Sequence, residues 1–414
     1  MIRIGIVGCG RILAAHLRGY RLLRAAGFHD FRITALCARQ ADDARMYVRR
    51  GEGPPQRPAV SRIPGDPLAI DDEYLSDFQP ETDVGVYTDY REMIASGAID
   101  AVNDFSTHSL HHQVAHAAFE HGKHLLTQKP LAVTVAAARR MCEEAERRRL
   151  TFGVFENFRF APRTRRLQWA FGSGPAGRLQ MFLLGYVGVW WAPNLVVADT
   201  PWRHWKREAG GISLDLGVHF FNQLRAVDGE VATISAKTAV LEPKRFSRSH
   251  TGEILRTIDC DADDTFVAQL QMESGAVGSL FASWGGHGAA TRVGDGTVYH
   301  GSAGRVTGDE LTLDAAPASD LAAKFQAEAP ADLQQRLFPY GLDDSFALAQ
   351  LDWLQAVQSG RDPETSGREG LRDLATAFAL LESDHAGQAV RVADVLEGRV
   401  HAFQDPLDRA FGTA

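Results

Sequence analysis

The opening forty residues restrict the possible folds most. Ile2 to Val7 reads IRIGIV, a short apolar run that ends at Gly8-Cys9-Gly10. Ile12, Leu13, His16, Leu17, Tyr20 and Leu23 then recur with a helical period, and FRITALCA, from Phe31 to Ala38, returns to strand character. A strand, a glycine turn, a helix and a second strand open a parallel βαβ unit, because parallel neighbours need a crossover over one face of the sheet.

The alternation breaks at 51–80, a segment with six prolines and weak periodicity, which reads as a surface loop inserted into the unit. It resumes afterwards and predicts a doubly wound parallel sheet ending near Asn157. From about Phe160 the pattern changes to strands joined by hairpin turns, such as Glu273-Ser274-Gly275, followed by two amphipathic helices near the C-terminus. Residues 285–335 show no period that assigns them to an element. The expectation is an α/β chain with a Rossmann domain over 1–157. An α+β domain with an open, mostly antiparallel sheet and C-terminal helices is expected over 158–414.

A length of 414 residues suits two or three domains, and a formal net charge of −8 argues against general binding to nucleic acid or anionic membrane. No apolar run reaches the roughly 20 residues a bilayer requires. The N-terminus goes straight into a strand without a leader pattern, so a cytoplasmic location is expected. Cys9, Cys37, Cys142 and Cys260 are scattered and form no CxxC, which points to reduced thiols.

Several motifs carry chemistry. Gly8 and Gly10 allow a tight turn and close approach of a pyrophosphate to the following helix N-terminus, although position 13 of the G-x-G-x-x-G pattern is Leu13. The second strand ends at Cys37-Ala38-Arg39 with no ribose-binding acid. Arg39 therefore favours NADP over NAD, while Asp42 and Asp43, one turn further on, are alternative candidates to serve the ribose of NAD. Lys129 follows an apolar strand and precedes Pro130, at a strand end where ligands bind in such sheets. Six histidines lie between 108 and 124. His112 and His116 have metal-ligand spacing without an evident third ligand, so no metal is expected. His111, with Ser106-Thr107-His108, follows a strand end and is a cofactor-side candidate.

In GGISLDLGVH, from Gly210 to His219, Ser213 is the expected helix N-cap. Asp215 and His219, four apart, then share one helix face. A carboxylate and an imidazole in an apolar run require partners, and they serve either as a structural pair or as an acid–base pair. Trp202, in WRHW, is a candidate for stacking on a ligand, with Arg203 or His204 reaching its polar groups; Asn157 and Arg159 are similar candidates.

Together GIVGCGRI, STHSLHHQVAHAAFEHGKHLLTQKPLA, AGGISLDLGVHFFN and DTFVAQLQMESGAVGSLFASW resemble the Gfo/Idh/MocA family of oxidoreductases. The resemblance covers nearly the whole chain apart from 51–80 and 285–335. It implies NAD or NADP binding and redox chemistry on sugars, inositol-like polyols or related carbonyl compounds. The family's EKP motif falls on Gln128-Lys129-Pro130, which gives Lys129 the active-site lysine's place, and its D-x-x-x-H pair falls on Asp215 and His219. Gly8, Gly10, Arg11, Ile12, Arg39, Ser106, Thr107, His108, His111, Gln128 and Lys129 become the expected cofactor contacts. Asn157, Arg159, Trp202, Arg203, Asp215 and His219 become the expected substrate contacts. Gln128 departs from the family's Glu, and Ser106-Thr107-His108 from its ATPN-type stretch.

The implied reaction is hydride transfer with His219 as acid–base and Lys129 stabilising oxyanion charge. Two alternatives remain: cofactor-recycling oxidation followed by elimination, and a non-catalytic nucleotide sensor. An open sheet with an apolar outer face also predicts a homo-oligomer formed through the C-terminal sheet.

Overall fold

The apolar runs of the N-terminal part become strands of one parallel sheet in a computed structural model describing residues 1–63, 65–172 and 174–413. The strands are β1 (Ile2–Val7), β2 (Phe31–Cys37), β3 (Gly85–Tyr87), β4 (Ala101–Asp104), β5 (His124–Gln128) and β6 (Phe152–Phe155). Their order is β3-β2-β1-β4-β5-β6, all parallel. Helices α1 (Leu13–Ala25), α2 (Ala41–Arg45), α3 (Tyr90–Ala95), α4 (His108–Glu120) and α5 (Val135–Arg148) provide the crossovers. The order reverses beside β1, and in such sheets this is where a ligand meets the carboxyl ends of the strands.

After α6 (Pro162–Phe171) comes β7 (Leu179–Val187), then the short α7 (Ile212–Asp215) and α8 (Gly217–Asp228). The following strands are β8 (Val231–Ala239), β9 (Lys244–Arg248), β10 (Ile254–Asp259), β11 (Thr265–Met272) and β12 (Val277–Ser283). Residues 285–335, without a period in sequence, form β13 (Thr291–Gly301), β14 (Gly304–Thr307), β15 (Glu310–Leu313), β16 (Ser319–Asp320) and α9 (Leu321–Glu328), and α10 (Ala331–Leu337) begins there. The chain continues through α11 (Ser345–Ser359), α12 (Gly367–Ala386) and β17 (Val390–Arg391).

The second sheet runs β16-β15-β14-β13-β7-β12-β11-β8-β17, antiparallel except for the β7–β12 pair, while β9 and β10 form a separate ribbon. The expected hairpin turn at Glu273–Gly275 joins β11 to β12, with Gly275 at φ +92°. At the parallel pair two glycines are covered by aromatic rings. Phe182 lies against Gly278 on the buried face, and Phe281 lies against Gly185, its register partner, on the other. A Cβ at either glycine would overlap the ring.

Contacts divide the chain into two units. One comprises Met1–Ala132, Ala137–Phe160 and Tyr340–Leu371; the other comprises Val133–Ala136, Ala161–Pro339 and Arg372–Ala414. The division differs from the sequence expectation, which left every C-terminal helix with the second domain. Helix α11 packs on α1, and its Trp353 Nε1 donates to Leu125 O of β5 at 3.1 Å. Its apolar face, including Phe346, Leu351 and Leu354, therefore completes the core of the first unit.

The second unit buries ion pairs. Arg245 and Asp264 are almost fully buried and meet at 3.1 Å, while Asp264 also accepts the N–H groups of Leu241 and Glu242 at 2.8 Å. Arg225 is held by Asp373 at 2.5 Å and by Glu230 through two 2.8 Å bonds. Among the described residues no helix is long and apolar enough to cross a membrane.

Candidate active site

The glycine turn joins β1 to α1 as the sequence requires. Gly8 has φ +96°, and a Cβ there would lie 2.6 Å from the Phe105 carbonyl and 2.7 Å from Ser106 N, so only glycine fits. Above Gly10 the space is open, with no heavy atom within 4 Å of an ideal Cβ. Close backbone packing beneath Gly8 and open space at Gly10, at the N-terminus of α1, suit a pyrophosphate. Arg11 and Ile12 complete the turn, partly exposed, and Leu13, in the place of the third glycine, is fully buried. Arg39 is exposed just beyond β2.

Asp104, buried at the end of β4, organises the neighbouring strand ends. Its two oxygens accept Ser106 N at 3.0 Å and Thr127 Oγ1 at 3.2 Å. Ser106 and Thr107 remain accessible, whereas His108, the first residue of α4, is buried. His111 has another location than a cofactor-facing surface. It is fully buried, with Nδ1 at 3.1 Å from Pro130 O and 3.2 Å from Leu131 O, so it ties α4 to the loop that carries Lys129. His116, His121 and His124 also have local partners. His116 pairs with Glu144 at 3.1 Å, His121 Nδ1 bonds Ala117 O, and His124 Nδ1 accepts the N–H of Thr151.

Lys129 follows β5 and is partly exposed. The side chain of Gln128 fixes the peptide entering it: Oε1 accepts Lys129 N–H at 3.0 Å, and Nε2–H donates to His16 Nε2 at 3.0 Å. His16 is fully buried and stacked on Phe105 at 3.5 Å between ring centroids. Burial holds its pKa well below the ordinary value, so it is the neutral acceptor this bond needs. Asn157 is partly exposed after β6, and Arg159, nearly buried, faces Glu369 at 3.5 Å.

In the second unit the structure brings Trp202, Arg203 and Asp215 together. The Arg203 guanidinium lies over the Trp202 ring at 4.3 Å, its Nε–H donates to Asp215 Oδ2 at 3.2 Å, and Nη1 bonds the Thr200 hydroxyl. Gly210 permits this arrangement, since a Cβ there would lie 2.6 Å from Arg203 O. His204, by contrast, points inward. Its Nε2 accepts Val197 N–H at 3.1 Å, and burial pushes its pKa down to about 3.

Ser213 is not the helix N-cap. The cap is Gly211, at φ +121°, and the capping carboxylate comes from Asp263, whose Oδ2 accepts Ser213 N–H at 3.0 Å and Ser213 Oγ–H at 2.7 Å. Nor is 212–228 one regular helix. It breaks at Leu216 between α7 and α8, and His219 N–H donates to the i−3 carbonyl of Leu216 at 3.1 Å. Asp215 thus ends one short helix, and His219, 6% exposed, lies in the first turn of the next. A Cβ at Gly217 meets nothing closer than 3.7 Å, so a small side chain fits there.

Sequence reasoning missed Asp104, Asp263, His16 and the role of the 51–80 segment. The only signal at Asp263 is the doubled acid of DADDTF immediately before an apolar strand.

Comparison with known proteins matches residues 68–156 to the oxidoreductase-family NAD-binding Rossmann fold and residues 177–392 to the oxidoreductase-family C-terminal alpha/beta domain. Levoglucosan dehydrogenase of Pseudarthrobacter phenanthrenivorans is 29% identical over 211 residues, 49% of this chain and 53% of that one, so the chain spans about half that relative's length. Myo-inositol 2-dehydrogenase of Thermotoga maritima is 24% identical over 95% of this chain and all of the relative. A solved levoglucosan dehydrogenase, in complex with NADH and L-sorbose, superposes with TM-score 0.69 at 20% identity, covering 94% of this chain and 98% of that one; this likeness is one of fold.

Proposed function

The chain belongs to the Gfo/Idh/MocA family of NAD(P)-dependent oxidoreductases, and from that premise we propose that it oxidises or reduces a sugar, an inositol-like polyol or a related carbonyl compound. The observation that carries this reading is the joint presence of Lys129, Asp215 and His219 in a chain whose glycine turn suits a dinucleotide. The names of the relatives, levoglucosan and myo-inositol dehydrogenases, support the substrate class.

The nicotinamide, when bound, supplies the hydride acceptor or donor. Gly8, Gly10, Arg11 and Ile12 would hold the pyrophosphate at the N-terminus of α1, and Ser106 and Thr107, with the buried His108 behind them, would serve the nicotinamide side. His219 takes the substrate hydroxyl proton on a ring nitrogen during oxidation and returns it during reduction. Lys129 serves as an N–H donor that stabilises negative charge on the substrate. Asp215, anchored by Arg203, orients the substrate or the imidazole, and Trp202 offers a ring face to the sugar. With Cys37-Ala38-Arg39 in place of an acid after β2, NADP is the preferred cofactor. The oligomer forms through the outer face of the large sheet.

The test is separate substitution of Lys129→Ala and His219→Ala, assayed on a panel of sugars and inositols with both cofactors. Each change should lower turnover by about 10²–10⁴-fold, the usual contribution of a positioned proton-transfer group, with circular dichroism unchanged. Turnover near that of the wild type in both variants sinks the assignment.

A further inference from the structure

The segment 51–80 does not run loosely over the surface. Glu73 receives Arg21 of α1 through bonds of 2.8 and 2.7 Å, and Gln56 Nε2 donates to Met46 O and Glu73 O at 3.1 and 2.7 Å. Gln79 acts as a strand partner to β2, accepting Ile33 N–H at 3.1 Å and donating to Ile33 O at 2.8 Å. These anchors lay the segment beside the glycine turn. Arg57 Nη1 donates to Cys9 O at 3.3 Å, inside the turn, and Arg11 Nη1 donates back to Pro58 O at 3.3 Å. Arg57 Nη2 pairs with Asp43, the carboxylate in the first turn of α2 just beyond β2. Two of its five N–H donors are engaged in these bonds, and its side chain keeps 35% exposure.

A carboxylate near the end of the second strand accepts ribose hydroxyls and repels a 2′-phosphate. Here the nearby Asp43 is neutralised by an arginine from outside the βαβ unit. That guanidinium reaches both the turn that receives the pyrophosphate and the strand end that receives the adenosine ribose. Its planar fork matches a phosphate, whereas Arg39 stands exposed beyond β2. We propose that Arg57, delivered by the inserted segment, is the residue that selects NADP over NAD, by cancelling the charge of Asp43 and binding the 2′-phosphate. The proposal rests on the dinucleotide reading of the glycine turn.

Isothermal titration of the full chain with NADP+ and with NAD+ tests it without any substrate. Arg57→Ala should weaken NADP+ binding by about 10–100-fold, the range for one charge-assisted bond, and NAD+ binding by less than about 3-fold. Arg39→Ala should lower the NADP+/NAD+ ratio by less than Arg57→Ala does. Where Arg57→Ala does not fold, Arg57→Lys keeps the charge, loses the fork and should still lower the ratio. Equal weakening toward both nucleotides makes Arg57 a tether for the segment and overturns the proposal. So does a wild-type protein that prefers NAD+, or an Arg39 variant that carries the loss. A wild-type protein that binds neither nucleotide removes the dinucleotide reading itself, which separates the two failures.

Discussion

At the scale of single residues, Gln128, which stands where the resembled motif has Glu, links two elements through a neutral amide. Its amide bridges a neutral, buried His16 and the peptide of Lys129. A histidine whose folded pKa lies below its unfolded value contributes stability that is present above about pH 6.5 and lost as pH falls below it. Gln128→Glu would set a carboxylate against His16 Nε2 and raise that pKa. The variant should therefore lose less stability than the wild type between pH 7 and pH 5, measured by urea unfolding at each pH. An equal or larger loss would show that His16 stays neutral beside the carboxylate. The sequence displays Gln128 as an altered motif letter, but its partner lies 112 positions away on another element. No local pattern reveals that contact.

At the scale of elements, the turn before the Asp215/His219 motif is set from outside. Asp263 satisfies both the N–H and the hydroxyl of Ser213, and burial lifts its pKa to about 6. A raised carboxylate pKa gives stability that is full below the unfolded value near 3.8 and lost as pH rises through about 6. Asp263→Asn keeps an acceptor for Ser213 and removes the titration. The fall in unfolding free energy between pH 4 and pH 7 should then shrink by up to about 3 kcal/mol, read from denaturant curves. An unchanged pH profile would assign the titration to other groups. Here the sequence reading had the wrong local geometry. Ser213 has the chemistry of an N-cap, but a neighbouring carboxylate occupies that role, and the helix breaks at Leu216. Long, strongly patterned elements such as β1, α1 and the β11–β12 hairpin were legible because their own periodicity specifies them.

At the scale of the whole molecule, the doubly wound sheet and the largely antiparallel second sheet were readable from the alternation of elements. The strands within 285–335 were not, since glycines and short runs mask their period. Met181, Val277 and Val267 are 45%, 49% and 51% exposed and lie on one face of the large sheet, with Phe281 over Gly185 beside them. Such a patch is where the self-association proposed above would take place. Met181→Asp with Val267→Asp should lower the mass of the assembly in light scattering while far-ultraviolet dichroism stays the same. A mass unchanged from the wild type would exclude this face as the interface.

The division of the chain also bears on how the protein is made. The first unit takes residues up to Phe160 and then Tyr340–Leu371, so about 180 residues of the second unit leave the ribosome in between. At bacterial or eukaryotic elongation rates that interval is roughly 10–35 s. Throughout it the nascent nucleotide-binding half lacks α11, and with it the ring of Phe346 against His16 and the Trp353 bond to β5. An exposed apolar seam beside α1 for that long is a binding opportunity for a chaperone.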